Sequence, residues 1–225
     1  MIEPLLLSLR LATASSLLLL LLGIPLGYVL ARKRFPLKRL AETVILLPLT
    51  LPPTVLGYYL LVFLGYQGPL ARLFSIEWAF RFEGLLIGSV IFSLPFALTA
   101  YREAFRSLDE DLLQTARTLG APRWRLWRYV ILPLTWPGLL SGTLLAFAHT
   151  LGEFGVVLMI GGNIPGETRV ISIYIYDLVQ ALEFAEAARV AGVLLVLSFI
   201  LLYSVRVVEE KWTNRFRSIT AFTHP

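Results

Sequence analysis

The sequence predicts an all-α, polytopic membrane protein of about five transmembrane helices, with a single membrane domain over residues 1–225. Of these residues 57% are hydrophobic and 16% charged, and the mean hydropathy is +0.74, which is too apolar for a soluble core of this size. The apolar residues form runs long enough to cross a bilayer, which takes about 20 residues. The basic residues cluster between those runs.

Five apolar runs supply the predicted spans. The basic cluster "RKRFPLKR" follows the first run instead of preceding it, so that run is not a cleaved signal peptide. The third run contains Pro95, where we expect a break. In chain order the runs cover residues 5–31, 40–64, 84–101, 129–162 and 187–205.

Lysine and arginine set the predicted topology. Fifteen of the 20 lie in three segments, residues 32–39, 102–128 and 206–217, which the positive-inside rule places in the cytoplasm. Five spans then require the amino terminus outside and the carboxyl terminus inside. We therefore expect a multi-pass protein of the cytoplasmic (inner) membrane, in contact with the lipid bilayer and with no nucleic acid.

Two spans contain features that interrupt a helix. The run over residues 129–162 would be about 50 Å long as one helix, longer than the hydrocarbon core, so we expect it to bend at "LGEFGVV". The second span loses backbone hydrogen bonds at three prolines, Pro48, Pro52 and Pro53. These prolines either form kinks that serve helix packing, or they free backbone groups that line a path. Residues 161–186 are typical of an external loop followed by an amphipathic helix at the outer interface.

The charged stretch within residues 102–133 predicts a short helix outside the membrane. Ser107 and Glu110 have the spacing of a capping box that starts the helix, Gly120 is a left-handed stop, and Pro122 suits the first turn of the next helix. The apolar positions expected on one face are Leu108, Leu112, Ala116 and Leu119. This helix either lies on the lipid surface or seats its apolar face in a partner.

The same stretch resembles the signature of binding-protein-dependent ABC transporter permeases, which is Glu-Ala-Ala, three residues, Gly, nine residues, Ile, any residue, Leu-Pro. The first position is a glutamine here. The matching residues are Ala116, Gly120, Leu132 and Pro133, and the departures are Gln114, Thr115 and Val130. With "LPLTLPPTVLGYYLL", "GYQGPLARL", "LGEFGVVLMIGGNIPGETR" and "IYDLVQALEFAEAARVA", nearly the whole chain resembles the permease subunits of molybdate ABC importers. Sulfate permeases share "GEFG" and "GNIPG".

The resemblance implies an importer subunit for a tetrahedral oxyanion, with molybdate or tungstate first and sulfate or thiosulfate as the alternative. It also implies a homodimer, an external oxyanion-binding protein and two ATP-binding cassette ATPase subunits on the cytoplasmic side. ATP and Mg²⁺ would bind to the ATPase, and this chain would need no cofactor. The short helix would dock in the ATPase through the coupling residues Leu112, Gln114, Thr115, Ala116, Leu119, Gly120 and Arg123.

Candidate residues for the translocation path lie in the interrupted spans. His149 and Glu153 are four residues apart in a predicted span, and ionisable groups buried in a membrane are costly and often functional. Alternatively, the two side chains satisfy each other. A carboxylate would repel a dianion, which favours Glu153 as a structural anchor at the bend. The path or gate set is Pro52, Pro53, Ser141, His149, Glu153 and Gly155. The binding protein would dock on Asn163, Gly166 and Thr168, although Asn-Ile-Pro-Gly is also a good turn sequence.

Catalysis has little support in the sequence. It contains no glycine-rich phosphate loop, only two histidines, no cysteine and no carboxylates at metal-ligand spacing. We therefore expect neither enzymatic activity nor a metal site. The alternative of another class is a secondary anion transporter or membrane enzyme, but repeated halves and buried proton-relay charges, which are typical of secondary carriers, are not evident.

Overall fold

The computed structural model describes residues 1–75 and 77–220, with the backbone alone at 74, 209 and 211–220. The described residues form helices and no strand. In chain order the helices are α1 (Ile2–Arg32), α2 (Lys38–Leu46), α3 (Pro53–Leu64), α4 (Pro69–Phe74), α5 (Phe82–Arg106), α6 (Glu110–Thr118), α7 (Arg123–Leu126), α8 (Leu132–Gly152), α9 (Gly155–Gly161), α10 (Ile171–Gln180) and α11 (Phe184–Thr220).

Within the described residues, four helices are long and apolar enough to cross a bilayer. They are Ile2–Arg32, Phe82–Arg106, Arg123–Gly152 and Phe184–Val208. A fifth span results if the bent pair Lys38–Leu49 and Pro53–Leu73 counts as one. The predicted fold class, an all-helical membrane protein with about five spans, is confirmed.

The core is formed by α1, α5 and α8, which pack against one another. Tyr101 of α5 is fully buried there, and its hydroxyl forms a hydrogen bond with Thr143 Oγ1 at 2.6 Å. Glycines on the two neighbouring helices make room for its ring, because a Cβ at Gly23 would lie 2.8 Å from the ring and one at Gly142 2.9 Å. Small residues allow such close helix approach in membrane proteins.

The break expected at Pro95 is wrong. α5 continues without interruption through this proline, which is buried in the core. The Thr99 hydroxyl donates a hydrogen bond to the Pro95 carbonyl at 2.7 Å. Membrane helices tolerate an internal proline because neighbouring helices and such side-chain bonds hold the backbone in place.

The second predicted span, residues 40–64, is not one straight helix. α2 continues into a 3₁₀ turn at Leu47–Leu49, and the chain then bends by 109° before α3. Pro52 is extended, with φ −55° and ψ 134°, and Pro53 is the first residue of α3. The prolines therefore end one helix and start the next.

The long fourth run breaks where the sequence predicts. Its membrane helix begins at Arg123, passes through a wide turn at Trp127–Ile131 and ends at Gly152. Glu153 is extended, with φ −68° and ψ 135°, and α9 begins at Gly155. The two helices are therefore separated by the "GEFG" motif.

The described residues after α9 have the predicted order of a loop, an amphipathic helix and a last span. Residues 162–170 form a loop, and α10 after it buries Ile171, Ile173 and Leu178 while Tyr176 is exposed. α11 then covers the last predicted span. It packs on α8 and α10, and most of its apolar side chains are exposed, as expected for a helix facing lipid.

Candidate coupling loop and broken-helix site

The short helix α6 is capped by Asp109 and not by Ser107, so the predicted capping box is wrong. The Asp109 carboxylate accepts a hydrogen bond from the Asp111 N–H at 2.8 Å. Ser107 instead ends α5, and its hydroxyl donates to the Ala104 carbonyl at 3.0 Å. Leu108, between the two helices, is buried, and the chain turns there to place it in the core.

The end of α6 is closed as the sequence predicts. Gly120 has a φ of +79°. Its N–H bonds to the Arg117 carbonyl at 2.9 Å, and the Ala121 N–H bonds to the Ala116 carbonyl at 3.1 Å. This pair of bonds is a Schellman motif, which satisfies the last carbonyls of the helix. A Cβ at Gly120 would meet nothing within 4 Å, so the position faces open space.

The buried face of α6 differs from the predicted one. Leu113 is 3% exposed and packs, with the partly buried Ala116, into the core cluster that contains Leu126. Leu112 and Leu119 are 45% and 82% exposed. The helix seats its inner face on its own protein. The other predicted coupling residues are exposed, and they are Leu112, Gln114 and Thr115 on α6, Leu119 and Gly120 at its end, and Arg123 at the start of α7.

An ion-pair network ties α6 to the first span. Arg32, at the end of α1, bonds the Glu110 carboxylate at 2.8 Å and the Leu108 carbonyl at 2.5 Å. Arg117 lies 3.5 Å from the other Glu110 oxygen. The start of the short helix is therefore held to the end of α1, next to the end of α5. Sequence reasoning missed Arg32 because 78 residues separate it from Glu110.

The "GEFG" break lies against the proline bend. A Cβ at Gly155 would be 2.7 Å from Pro53 Cβ, and one at Gly57 would be 2.6 Å from Met159 Cβ. α3 and α9, the two short helices that follow the breaks, therefore pack with almost no space between their backbones. Two predicted path residues, Pro53 and Gly155, are thus brought together, and Pro52 is exposed beside them.

A polar seam crosses the helix contact beside this break. Ser93 of α5 bonds His149 Nδ1 and Thr150 Oγ1, each at 2.9 Å. The His149 ring lies between two aromatic rings, with centroid distances of 5.0 Å to Phe92 and 4.0 Å to Phe96. His149 is therefore satisfied by α5, and in the described part of the chain no hydrogen bond joins it to Glu153.

Glu153 is enclosed at the break. Its side chain is 4% exposed, and neither carboxyl oxygen has a hydrogen bond of good geometry within the described part of the chain; Ser89 is the polar neighbour. Its backbone carbonyl accepts a bond from the Ser172 hydroxyl at 2.5 Å. The backbone of Glu153 thus anchors the bend to α10, whereas its carboxyl is a buried group held without a firm partner.

Ser141 lies apart from the other path candidates. It is 6% exposed and lines a cavity of about 530 Å³ between α5, α8 and α11. The predicted path residues therefore form three separate places: the proline contact, the polar seam and this cavity. In the described residues, no three histidine or acidic side chains lie close enough to hold a metal ion.

The loop after α9, residues 162–170, is held by its own side chains. Asn163 Nδ2 donates to both Asp177 carboxylate oxygens, at 2.7 and 2.8 Å, and its carbonyl accepts from Arg169 Nε at 2.6 Å. Thr168 is fully buried and donates to the Gly161 carbonyl at 2.7 Å. Of the predicted docking residues, Thr168 shapes the loop from within, Asn163 braces it on α10, and Gly166 lies at the exposed tip.

Comparisons with known proteins agree with this architecture. The family model described as "Binding-protein-dependent transport system inner membrane component" matches residues 23–213. The chain is 45% identical over 203 residues to the molybdenum transport system permease protein ModB of Azotobacter vinelandii, covering 88% of this chain and 90% of the relative. Identity to the sulfate transport system permease protein CysT of Escherichia coli K12 is 32% over 196 residues, covering 86% and 71%.

A solved structure shares the fold. It is the crystal structure of a bacterial alginate ABC transporter in complex with an alginate pentasaccharide-bound periplasmic protein. The TM-score is 0.73 at 19% identity, over 91% of this chain and 76% of the matched one. The resemblance found in the sequence is confirmed: the chain belongs to the family of inner membrane components of binding-protein-dependent transport systems.

Proposed function

We propose that this chain is the permease subunit of an ABC importer for a tetrahedral oxyanion, with molybdate or tungstate as its substrate. The observation that carries the proposal is the 45% identity to a molybdenum permease, over 88% of this chain and 90% of that relative. The sulfate permease matches at 32%, which makes sulfate or thiosulfate the second candidate.

The proposed topology has the amino terminus outside and the carboxyl terminus in the cytoplasm. It places residues 32–39 and the coupling loop, residues 102–133, on the cytoplasmic side, as the distribution of basic residues requires. Accessible tags at residue 1, after Lys38 and after Arg217 test it. We expect the first tag outside and the other two inside; both termini on one side would contradict the topology.

The exposed outer face of α6 is the proposed docking surface for the ATPase subunit. To transmit a displacement from a partner, a helix needs a stable start, buried contacts with its own protein and an exposed surface for the partner. The start of α6 is capped by Asp109, Leu113 is buried against the core, and Leu119 at its end is exposed. The Arg32–Glu110 pair would transmit its displacement to α1. ATP and Mg²⁺ bind to the two partner ATPases, so hydrolysis lies outside this chain.

The proposed transporter is a homodimer whose interface encloses the path. Large side chains of α3, among them Tyr58, Tyr59 and Phe63, are about half exposed in the single chain, and a second copy would cover them. The external binding protein would dock at the loop tip, where Ile164 to Glu167 are exposed. Few basic residues lie in the spans, so we expect no tight oxyanion cage and place ion selectivity in the binding protein.

Uptake into vesicles tests this function. The permease is reconstituted with its cognate ATPase, and the loaded binding protein is added outside with ATP inside. We expect molybdate uptake that requires all three components. We also expect tungstate to inhibit this uptake by competition more strongly than sulfate does. Uptake by the permease alone would identify a secondary transporter, and stronger competition by sulfate would favour the sulfate importer.

A further inference from the structure

We propose that a cavity between the end of α1, the start of α2 and the end of α5 binds the phosphate group of an anionic phospholipid. The cavity measures about 680 Å³, within the range of roughly 300–1,000 Å³ typical of small-ligand sites. The proposal rests on the cytoplasmic placement of this end of the protein, where the anionic lipids of the inner leaflet are in reach.

The cavity has a strong excess of positive charge. Its cations are Arg34, Lys38, Arg39 and Arg106. The one carboxylate among its lining residues, Glu42, is already engaged by Arg102 at 3.1 Å. In the described part of the chain Arg34 and Arg39 have no ion-pair partner, and the contact of Arg106 is a loose one to Glu103 at 3.9 Å. An anion would complete the charge balance.

Exposed apolar side chains at the same place indicate a lipid. Leu37 and Leu40 also line the cavity and are 73% and 56% exposed, and α2 buries none of its residues. Cations beside exposed leucines at the end of a span match the boundary between headgroups and acyl chains. The phosphate would meet the guanidinium groups while the acyl chains cover the leucines.

Two other occupants fit less well. A second copy of the chain would bring the same four cations and repel the first. The ATPase has its proposed seat on the exposed side of α6, and no residue of α6 lines this cavity. Neither occupant explains why the cations and leucines are exposed side by side.

The test measures lipid binding to the purified full-length chain in detergent by native mass spectrometry. The probes are phosphatidylglycerol, phosphatidylcholine with the same acyl chains, and glycerol phosphate. The test variant is Arg34→Gln/Arg39→Gln, at two exposed residues whose loss disturbs no observed bond. The control is Arg72→Gln/Arg189→Gln, which removes the same charge at exposed sites outside the cavity.

We expect wild type and control to retain phosphatidylglycerol in preference to phosphatidylcholine, and to bind glycerol phosphate weakly. The test variant should bind phosphatidylglycerol about 25-fold more weakly, since each of the two substituted basic residues contributes about fivefold near an anionic surface. Equal retention of both lipids, or an unchanged test variant, would overturn the proposal. Loss of ATPase binding by the test variant in lipid-free detergent would assign the cavity to the ATPase instead. Oxyanion transport plays no part in this measurement, so the result stands apart from the substrate assignment.

Discussion

The coupling loop and the polar seam use polar residues in opposite ways. Around α6, charged and hydroxyl side chains are exposed, and their bonds are local or lie at the surface, as between Arg117 and Glu110. At the seam, Ser93 and Thr150 are almost fully enclosed, and each has its partner on the other helix. The loop is therefore built to present a surface, and the seam to fix how helices meet.

This difference has an energetic consequence. A buried polar group left without its partner costs about 1–3 kcal/mol, whereas an exposed one recovers its bonds from water. Substitutions in the seam and the adjoining break should therefore weaken folding, and substitutions on the outer face of α6 should spare folding and impair coupling. Four predictions test this contrast, in decreasing order of the expected effect on folding.

Gly155→Leu should cause the largest loss of stability. The new side chain would start 2.7 Å from Pro53 Cβ, so α3 and α9 must separate, at a cost of about 1–3 kcal/mol or more. We expect reduced folded yield, a lower Tm in detergent and no transport. Gly152→Leu is the matched control, because a Cβ there meets nothing within 4 Å. Equal thermal stability of the two variants would show that the α3–α9 contact is loose.

Ser93→Ala should have the next largest effect. It leaves His149 Nδ1 and the Thr150 hydroxyl without their observed partner, which costs about 1–3 kcal/mol. Thr115→Ala removes one hydroxyl bond to the Asp111 carbonyl on an exposed surface and should change stability by less than about 0.5 kcal/mol. Thermal unfolding in detergent compares the two. If the loss at Thr115 equals that at Ser93, the contrast between the regions fails.

Gly120→Leu should fold almost normally and lose ATP-driven transport. The left-handed backbone costs a non-glycine residue roughly 1 kcal/mol, while the side chain itself projects into open space, where we place the ATPase. Gly192→Leu, also in open space but on the lipid-facing α11, is the control and should transport normally. Transport by Gly120→Leu at the normal rate would remove the coupling role of this loop.

Gln114→Ala should have the smallest effect. Gln114 is exposed and its side chain makes no observed bond, so stability should stay within about 0.5 kcal/mol of wild type. Because the family signature has an acid at this position and this chain has a glutamine, we expect the proposed ATPase contact here to be replaceable and the loss of transport per ATP hydrolysed to be partial. A complete loss would mean that the glutamine has taken over the acidic role.

Local rules predicted much of this molecule. The apolar runs predicted the spans, Gly120 predicted the end of α6, and "GEFG" predicted the break between α8 and α9. Each of these features depends on residues that are close together in sequence. Ser107 was misassigned since the start of α6 is decided by the burial of Leu108, and Pro95 since the neighbouring helices hold α5 together. The partners of Arg32 and His149 lie on distant segments. The sequence spacing that suggested a pair between His149 and Glu153 carries no information about Ser93 of α5, which bonds His149 instead.

Crosslinking to the ATPase tests the central claim most directly. The chain contains no cysteine, so a single Leu119→Cys substitution, at a side chain that is 82% exposed, provides one reactive thiol on the proposed docking face. Leu73→Cys, 75% exposed on α4, is the control on the proposed external side. With the cognate ATPase and a short thiol crosslinker, we predict a permease–ATPase product from Leu119→Cys, changed in yield by ATP, and none from Leu73→Cys. No product from Leu119→Cys in a transporter that hydrolyses ATP, or equal products from both variants, would contradict the account.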